Sequence, residues 1–171
     1  MIGYGKQYID EDDIDAVVQT LKSDFLTQGP KVPEFEKAVA KEVNVKYAIA
    51  VNSATSALHI ACLAIGLSKD DILWTTPNTF VASANCALYC DAKVDFVDID
   101  KKTWNMCPAK LKEKLVLAKK SGNLPKVVIP VHLCGQPTIQ EEIYNLAKEY
   151  NFKIIEDASH SIGARRYEEP V

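Results

Sequence analysis

Phe152-Lys153-Ile154-Ile155-Glu156-Asp157-Ala158-Ser159-His160 is a short apolar run that ends in two carboxylates and an imidazole. Its length and β-branched residues suit a buried strand. Asp157 and His160 then stand where that strand emerges from the core. Four other strand-like runs end the same way, in small polar residues, an Asn, a Phe or a His. They are Tyr47–Val51, Ile72–Thr75, Val94–Val97 and Val127–Val131. Between them the spacing predicts helices over Thr55–Ile65, Phe80–Tyr89, Ala109–Lys119 and Ile139–Tyr150. Lys153–Glu156 is the fifth strand, and a sixth is expected through Ile162–Tyr167. Two further helices, Asp10–Leu21 and Pro33–Val43, precede the alternation and flank a loop at Leu26–Pro30. Strands alternating with helices imply βαβ units, a largely parallel sheet and helices on both of its faces.

The 171 residues carry a net charge of −3 with acids and bases intermixed. The length supports one domain with a real core. No basic stripe or Arg cluster marks a nucleic-acid surface. No apolar stretch is long enough to span a bilayer, and the N-terminus lacks the apolar core of a signal peptide. Five cysteines, Cys62, Cys86, Cys90, Cys107 and Cys134, are an odd number without framework spacing. They are expected to be reduced thiols in a cytoplasmic protein, the first three buried on helices.

Ligands of open α/β sheets bind at the carboxyl ends of the strands, so the junctions carry the functional argument. Asn52-Ser53-Ala54-Thr55-Ser56 opens a helix with small and hydroxylated residues. Its free N–H groups suit a phosphate, and a plain N-cap by Ser53 or Thr55 explains the same residues. Thr76-Pro77-Asn78-Thr79-Phe80 offers an aromatic face for a ring, or a core Phe that starts a helix. Asp98 and Asp100 read as turn formers and caps. His132, in Pro130-Val131-His132-Leu133-Cys134-Gly135, is either a hydrogen-bonded structural residue or faces a ligand. With no CxxC and no second clustered His, a zinc site is not expected. Asp157 suits a turn cap or the counter-charge of a protonated ring nitrogen, one mark of a pyridoxal 5′-phosphate (PLP) site. There is no G-x-G-x-x-G, no G-x-x-x-x-G-K-[ST] and no G-x-S-x-G. The five junctions are expected on one edge of one sheet, where they outline a phosphate, a ring and a ring nitrogen's partner.

Leu26-Thr27-Gln28-Gly29-Pro30, Asn52-Ser53-Ala54-Thr55-Ser56-Ala57-Leu58, Thr76-Pro77-Asn78-Thr79-Phe80-Val81-Ala82-Ser83-Ala84-Asn85, Pro130-Val131-His132 and Glu156-Asp157-Ala158-Ser159-His160 occur in that order. This ordered set resembles the DegT/StrS-type sugar-nucleotide aminotransferases. Among these it is most similar to the members that aminate a UDP-linked 4-keto-6-deoxy sugar on the way to pseudaminic acid. The resemblance covers essentially the whole chain. It implies the α/β large domain of the aspartate-aminotransferase fold (fold type I) and a homodimer. It also implies that PLP carries an amino group from an amino acid, glutamate, to the keto sugar. By the same resemblance Ala54 and Thr55 hold the cofactor phosphate, Phe80 stacks on the pyridine ring, Asp157 pairs with the ring nitrogen and His160 contacts the phenolic oxygen. Tyr4, Asp24, Phe25, Leu26 and Thr27 would lie along the sugar-nucleotide path. The family's Schiff-base lysine belongs to a Ser-x-x-x-x-Lys-type motif downstream of Asp157, and no lysine here has that context. Residues 1–171 are therefore expected to be an N-terminal segment plus most of the PLP-binding domain. The catalytic lysine and the small C-terminal domain would be absent, and the chain inactive alone. Two alternatives stay open: a sugar dehydratase of the same fold, and a non-catalytic interaction module.

Overall fold

A computed structural model describes Gly5 and residues 7–171. The chain divides into two compact units, Met1–Ala50 and Val51–Val171.

The first unit contains α1 (Glu11–Leu21) and α2 (Lys31–Glu42). A capping box starts α1: Asp10 accepts from the Asp13 N–H, and Asp13 accepts in turn from the Asp10 N–H. Two otherwise orphaned donors are satisfied at once, with Glu11, Asp12 and Asp13 at the positive end of the helix dipole. α2 begins two residues earlier than expected, because Pro33 is tolerated within a helix's first turn, where its missing N–H would be unpaired anyway. Tyr47–Val51, expected as a strand, joins no ladder among the described residues. Tyr47 and Ile49 are 73% and 81% exposed. The Ala50 N–H is donated to Glu36 Oε1 at 2.8 Å. β-propensity alone does not make a strand where no neighbour completes its hydrogen bonds.

The second unit is a four-stranded sheet with helices on both faces. Its strands are β1 (Ile72–Thr75), β2 (Lys93–Phe96), β3 (Val127–Val128) and β4 (Lys153–Ile154), in the order β2-β1-β3-β4. Every pairing is parallel, with Leu73 opposite Val94 and Val127, and Val127 opposite Lys153. Its helices are α3 (Ala54–Ile65), α4 (Ala82–Leu88), α5 (Pro108–Ser121) and α6 (Gln140–Tyr150). Successive strand residues face opposite ways, and the core divides accordingly. Leu73, Val127 and Ile129 pack with Leu58, Cys62, Ala82, Cys86 and Cys90 from the α3–α4 side. Trp74 and Val128 pack with Leu111, Leu115, Ile143 and Leu146 from the α5–α6 side. Cys62 and Cys86 are buried on α3 and α4 as expected, Cys90 is buried in the turn that follows α4 rather than on a helix, Cys134 is exposed, and all five thiols are free.

β3 is a shorter ladder than the expected Val127–Val131. Pro130 has no N–H to give, although its carbonyl still accepts from Asp157 at 3.0 Å and Val131 bridges Asp157 in parallel. The expected sixth strand does not join the sheet. Instead β5 (Arg165–Arg166) and β6 (Glu169–Pro170) form a separate antiparallel hairpin. Tyr167 and Glu168 between them have φ of 49° and 66°, the two positive values that a two-residue type I′ turn requires. Among the described residues no helix is long and apolar enough to cross a membrane.

Candidate cofactor cleft

In the order β2-β1-β3-β4, the chain leaves β1 toward one edge to form β2, then returns past β1 to form β3. That reversal opens a crevice beyond the strand ends. A cleft of about 170 Å³ lies there, lined by four chain segments. Ala54, Thr55 and Leu58 come from α3; Thr79, Phe80 and Ala82 come from the β1–α4 junction. Val131, His132 and Leu133 follow β3, and Asp157, Ser159 and His160 follow β4. The volume is below the roughly 300–1,000 Å³ that encloses a drug-sized ligand, so this cleft by itself suits a single substituted ring.

Ser53 caps α3, its hydroxyl accepting from the Ser56 N–H at 3.2 Å, and Ala57 N–H reaches Ser53 O. Both readings of this stretch therefore apply. Ser53 is the cap, while the N–H groups of Ala54 and Thr55 have no acceptor among the described residues. The first turn holds no acidic residue, so the positive end of the dipole is uncompensated and suits an anion.

Asp157, which also lines the cleft, is only 7% exposed. Its Oδ2 accepts from Ser83 Oγ at 2.7 Å. Its Oδ1 accepts from Ser159 Oγ at 2.6 Å and Ser159 N–H at 3.3 Å. The turn-capping role is thus real, and the carboxylate nonetheless faces the cleft. Its neighbour Glu156 turns the other way, toward α6, and accepts from Gln140 Nε2 at 2.9 Å. Burial, reinforced by the Glu156 charge, pushes the Tyr144 hydroxyl up to about 12.

Phe80 does not enter the core. It sits ahead of α4, which starts at Ala82, and is 73% exposed on the cleft wall. His132 is 1% exposed, and its Nδ1 accepts from the Thr138 N–H at 3.0 Å. Burial pulls its pKa down against the nearby Glu156 and Asp157 carboxylates. The ring is therefore the neutral tautomer with its proton on Nε2. That atom has no hydrogen-bond partner among the described residues, Glu156 Oε1 being 3.7 Å away. His132 is thus both structural, through Nδ1, and part of the cleft wall. Gly135, in the 3-10 turn Leu133–Gly135, has φ +83°, and a Cβ there would meet His160 O at 2.9 Å. The turn after β3 thereby seats the loop that carries exposed His160.

Asp98 and Asp100 cap turns, as expected, through Ile99, Lys102 and Thr103 N–H groups. Asp24, Phe25, Leu26 and Thr27 are exposed residues of the first unit. They form a tight loop in which a Cβ on Gly29 would meet Phe25 O at 2.8 Å. Tyr4 lies outside the described residues. The sequence did not single out Ser83, whose partner Asp157 is 74 positions away. Among the described residues no cluster of His, Cys, Asp and Glu could hold a metal.

The donor set fits PLP: unpaired N–H groups for a phosphate, an exposed aromatic face, and a buried carboxylate for a ring nitrogen. Comparisons with known proteins point the same way. The DegT/DnrJ/EryC1/StrS aminotransferase family matches residues 7–171. The chain is 47% identical over 164 residues to the UDP-4-amino-4,6-dideoxy-N-acetyl-beta-L-altrosamine transaminase of Campylobacter jejuni, covering 96% of this chain and 42% of that protein. It is 37% identical to the GDP-perosamine synthase of Caulobacter vibrioides, covering 91% of this chain and 41% of that one. Among solved structures, it is similar to Helicobacter pylori PseC, an aminotransferase involved in the biosynthesis of pseudoaminic acid. That likeness has a TM-score of 0.86 at 31% identity over 99% of this chain and 44% of that one. The chain spans about two fifths of the length of these relatives.

Proposed function

The chain belongs to the DegT/DnrJ/EryC1/StrS aminotransferase family, and from that premise we propose that its cleft holds PLP and that the protein aminates a nucleotide-linked keto sugar. PLP is the cofactor of this family's aminotransferases. The observation that carries the site is the pairing of opposite electrostatics across one cleft. Free N–H groups at Ala54 and Thr55 and the buried Asp157 carboxylate line the same cleft.

Each residue then has a task. Ala54 and Thr55 bind the phosphate through backbone N–H groups, and the absence of bulk at Ala54 lets it approach. Phe80 covers one face of the ring. Asp157 holds a proton on the ring nitrogen, and His160 reaches toward the phenolic oxygen. When bound, PLP supplies an electron sink for the carbon being deprotonated and carries the amino group between substrates. Asp157 accepts three hydrogen bonds but faces no counter-charge among its hydrogen-bond partners, and a cationic ring nitrogen would offset the cost of burying that charge.

For the substrate, we propose a UDP-linked 4-keto-6-deoxy sugar, with glutamate as donor and surface-polysaccharide or nonulosonic (pseudaminic) acid biosynthesis as the setting. The name of the Campylobacter protein, at 47% identity against 37% for the GDP-perosamine synthase, supports a UDP-linked over a GDP-linked sugar, and the name of the Helicobacter protein supports the pseudaminic acid setting. Contact with the nucleotide sugar is proposed for Tyr4, Asp24, Phe25, Leu26 and Thr27. A homodimer is proposed as well, supported by the exposed apolar residues Ile60, Leu63, Leu88 and Tyr89 on α3 and the end of α4. Five free thiols support a cytoplasmic setting.

The test supplies the purified protein, with a segment bearing the family's Schiff-base lysine present in cis or added in trans, with PLP, glutamate and a UDP-linked 4-keto-6-deoxy-N-acetylhexosamine. 2-Oxoglutarate and the 4-amino sugar should form in equal amounts. PLP binding without amino sugar, under conditions where a GDP-linked keto sugar is aminated, would overturn the substrate assignment and leave the cofactor site standing.

A further inference from the structure

Ser83 is fully buried in the first turn of α4 and does not line the cleft, and although it falls within the Thr76–Asn85 motif the resemblance assigns it no role there. Its hydroxyl lies 2.7 Å from Asp157 Oδ2 and 3.1 Å from Thr79 Oγ1. A carboxylate only accepts, and a serine has one proton to give. The Ser83 proton is therefore committed to Asp157, and Thr79 must donate to Ser83. The result is a directed relay from Thr79 through Ser83 to Asp157, a chain in which each hydrogen bond polarises the next. On the other carboxylate oxygen, Ser159 contributes its hydroxyl and its N–H. An ionised carboxylate has about four lone-pair sites. Three are thus taken, and one is left for a ligand.

We propose that Ser83, backed by Thr79, is the positioning residue that fixes the rotation of the Asp157 carboxylate so that its open lone pair meets the ring nitrogen; this rests on the PLP reading of the cleft. The terminal torsion of an aspartate is broad and roughly two-fold. Leu58, Ala82 and Val131 around the cleft are apolar. Without the Ser83 hydroxyl, no other side chain holds Oδ2 among the described residues. Ser159 alone would let the carboxylate swing about its Oδ1 anchor.

The experiment compares binding of PLP with that of 1-deazapyridoxal phosphate, in which C–H replaces the ring nitrogen, by titrating the purified protein. The wild type should prefer PLP. Ser83→Ala should lower PLP affinity roughly tenfold, the size of one hydrogen bond to a charged group. The deaza analogue's affinity should hardly change, so the preference contracts by the same factor. Ser83→Thr, which keeps the hydroxyl, should retain the preference. A merely structural serine would weaken both ligands alike. If Ser83→Ala does not fold, Thr79→Val keeps the side chain's shape at the cleft wall but removes the donor behind Ser83, and should contract the preference by a smaller factor while changing the deaza analogue's affinity little. An unchanged preference in a folded Ser83→Ala, or failing that in Thr79→Val, overturns the proposal, as does an equal loss for both ligands. A wild type without any preference would instead remove the Asp157–ring contact and the cofactor reading with it.

Discussion

Asp157 and Phe80 were both legible as residues at strand ends, but burial separates their roles. Asp157 is 7% exposed and Phe80 73%. Asp157→Ala should therefore weaken PLP binding more than Phe80→Ala. Breaking a buried charge pair costs about 3–5 kcal/mol, whereas an aromatic pairing contributes about 0.5–1.5 kcal/mol beyond area burial. Equilibrium dialysis of the two variants measures the difference, and a larger loss in Phe80→Ala would reverse the assignment. Gly135 supplies another prediction at this scale. A side chain there must adopt φ near +83° and press on His160 O. Gly135→Ala should destabilise the protein by about 1–2 kcal/mol, the strain of a left-handed non-glycine residue. It should also shift the backbone amide signals of residues 158–161. Unchanged melting and unchanged amide signals would show that the turn after β3 does not seat that loop. Ser83 was not legible, because a hydrogen bond spanning 74 positions leaves no local pattern.

Helices were easier to read than strands, for a physical reason. A helix satisfies its own backbone, so caps and periodicity suffice to place it: Asp10 and Asp13 mark the start of α1. A strand depends on its neighbours. Tyr47–Val51 has the composition and lacks the ladder, and β3 is cut short by Pro130. Asp10→Ala should destabilise α1 by about 1 kcal/mol, the usual value of an N-cap, read as faster amide exchange across Glu11–Leu21. Exchange that does not change would mean that α1 is held by other contacts. The β1 entrance carries a pH prediction. Lys126 Nζ lies 2.7 Å from Asp71 Oδ2 and 2.6 Å from Gly66 O. The Lys126 ammonium, helped by the Ser68 N–H and hydroxyl against the opposing effect of burial, holds the Asp71 carboxyl below its usual range. A carboxyl depressed in the folded state stabilises fully above its unfolded pKa, about 3.9, and loses that contribution as pH falls through the folded value. The stability gap between wild type and Lys126→Met should be present at pH 7 and shrink below about pH 4. A gap independent of pH would assign the effect to the Gly66 contact.

Across the Val51–Val171 unit, strand order and residue alternation together produce the site. Leu73 and Trp74, or Val127 and Val128, divide the core between two helical layers. Glu156 and Asp157 follow the same alternation, which turns one carboxylate toward α6 and the other into the cleft. The crevice between β1 and β3 brings together junctions that are 25 to 102 residues apart in sequence, from the pair Thr55 and Phe80 to the pair Thr55 and Asp157. The alternation of elements made the sheet and the residues at its edge legible. It did not reveal which hydroxyls hold Asp157, or that His132 serves both the turn and the cleft. The central claim is that this crevice seats PLP by its two ends. A crystal structure of the protein grown with PLP tests it most directly. The ring nitrogen should lie within hydrogen-bonding reach of the Asp157 carboxylate, about 2.7–2.9 Å, with the phosphate on the Ala54 and Thr55 N–H groups. A cofactor bound with its phosphate elsewhere, or with its ring nitrogen turned away from Asp157, would contradict the account.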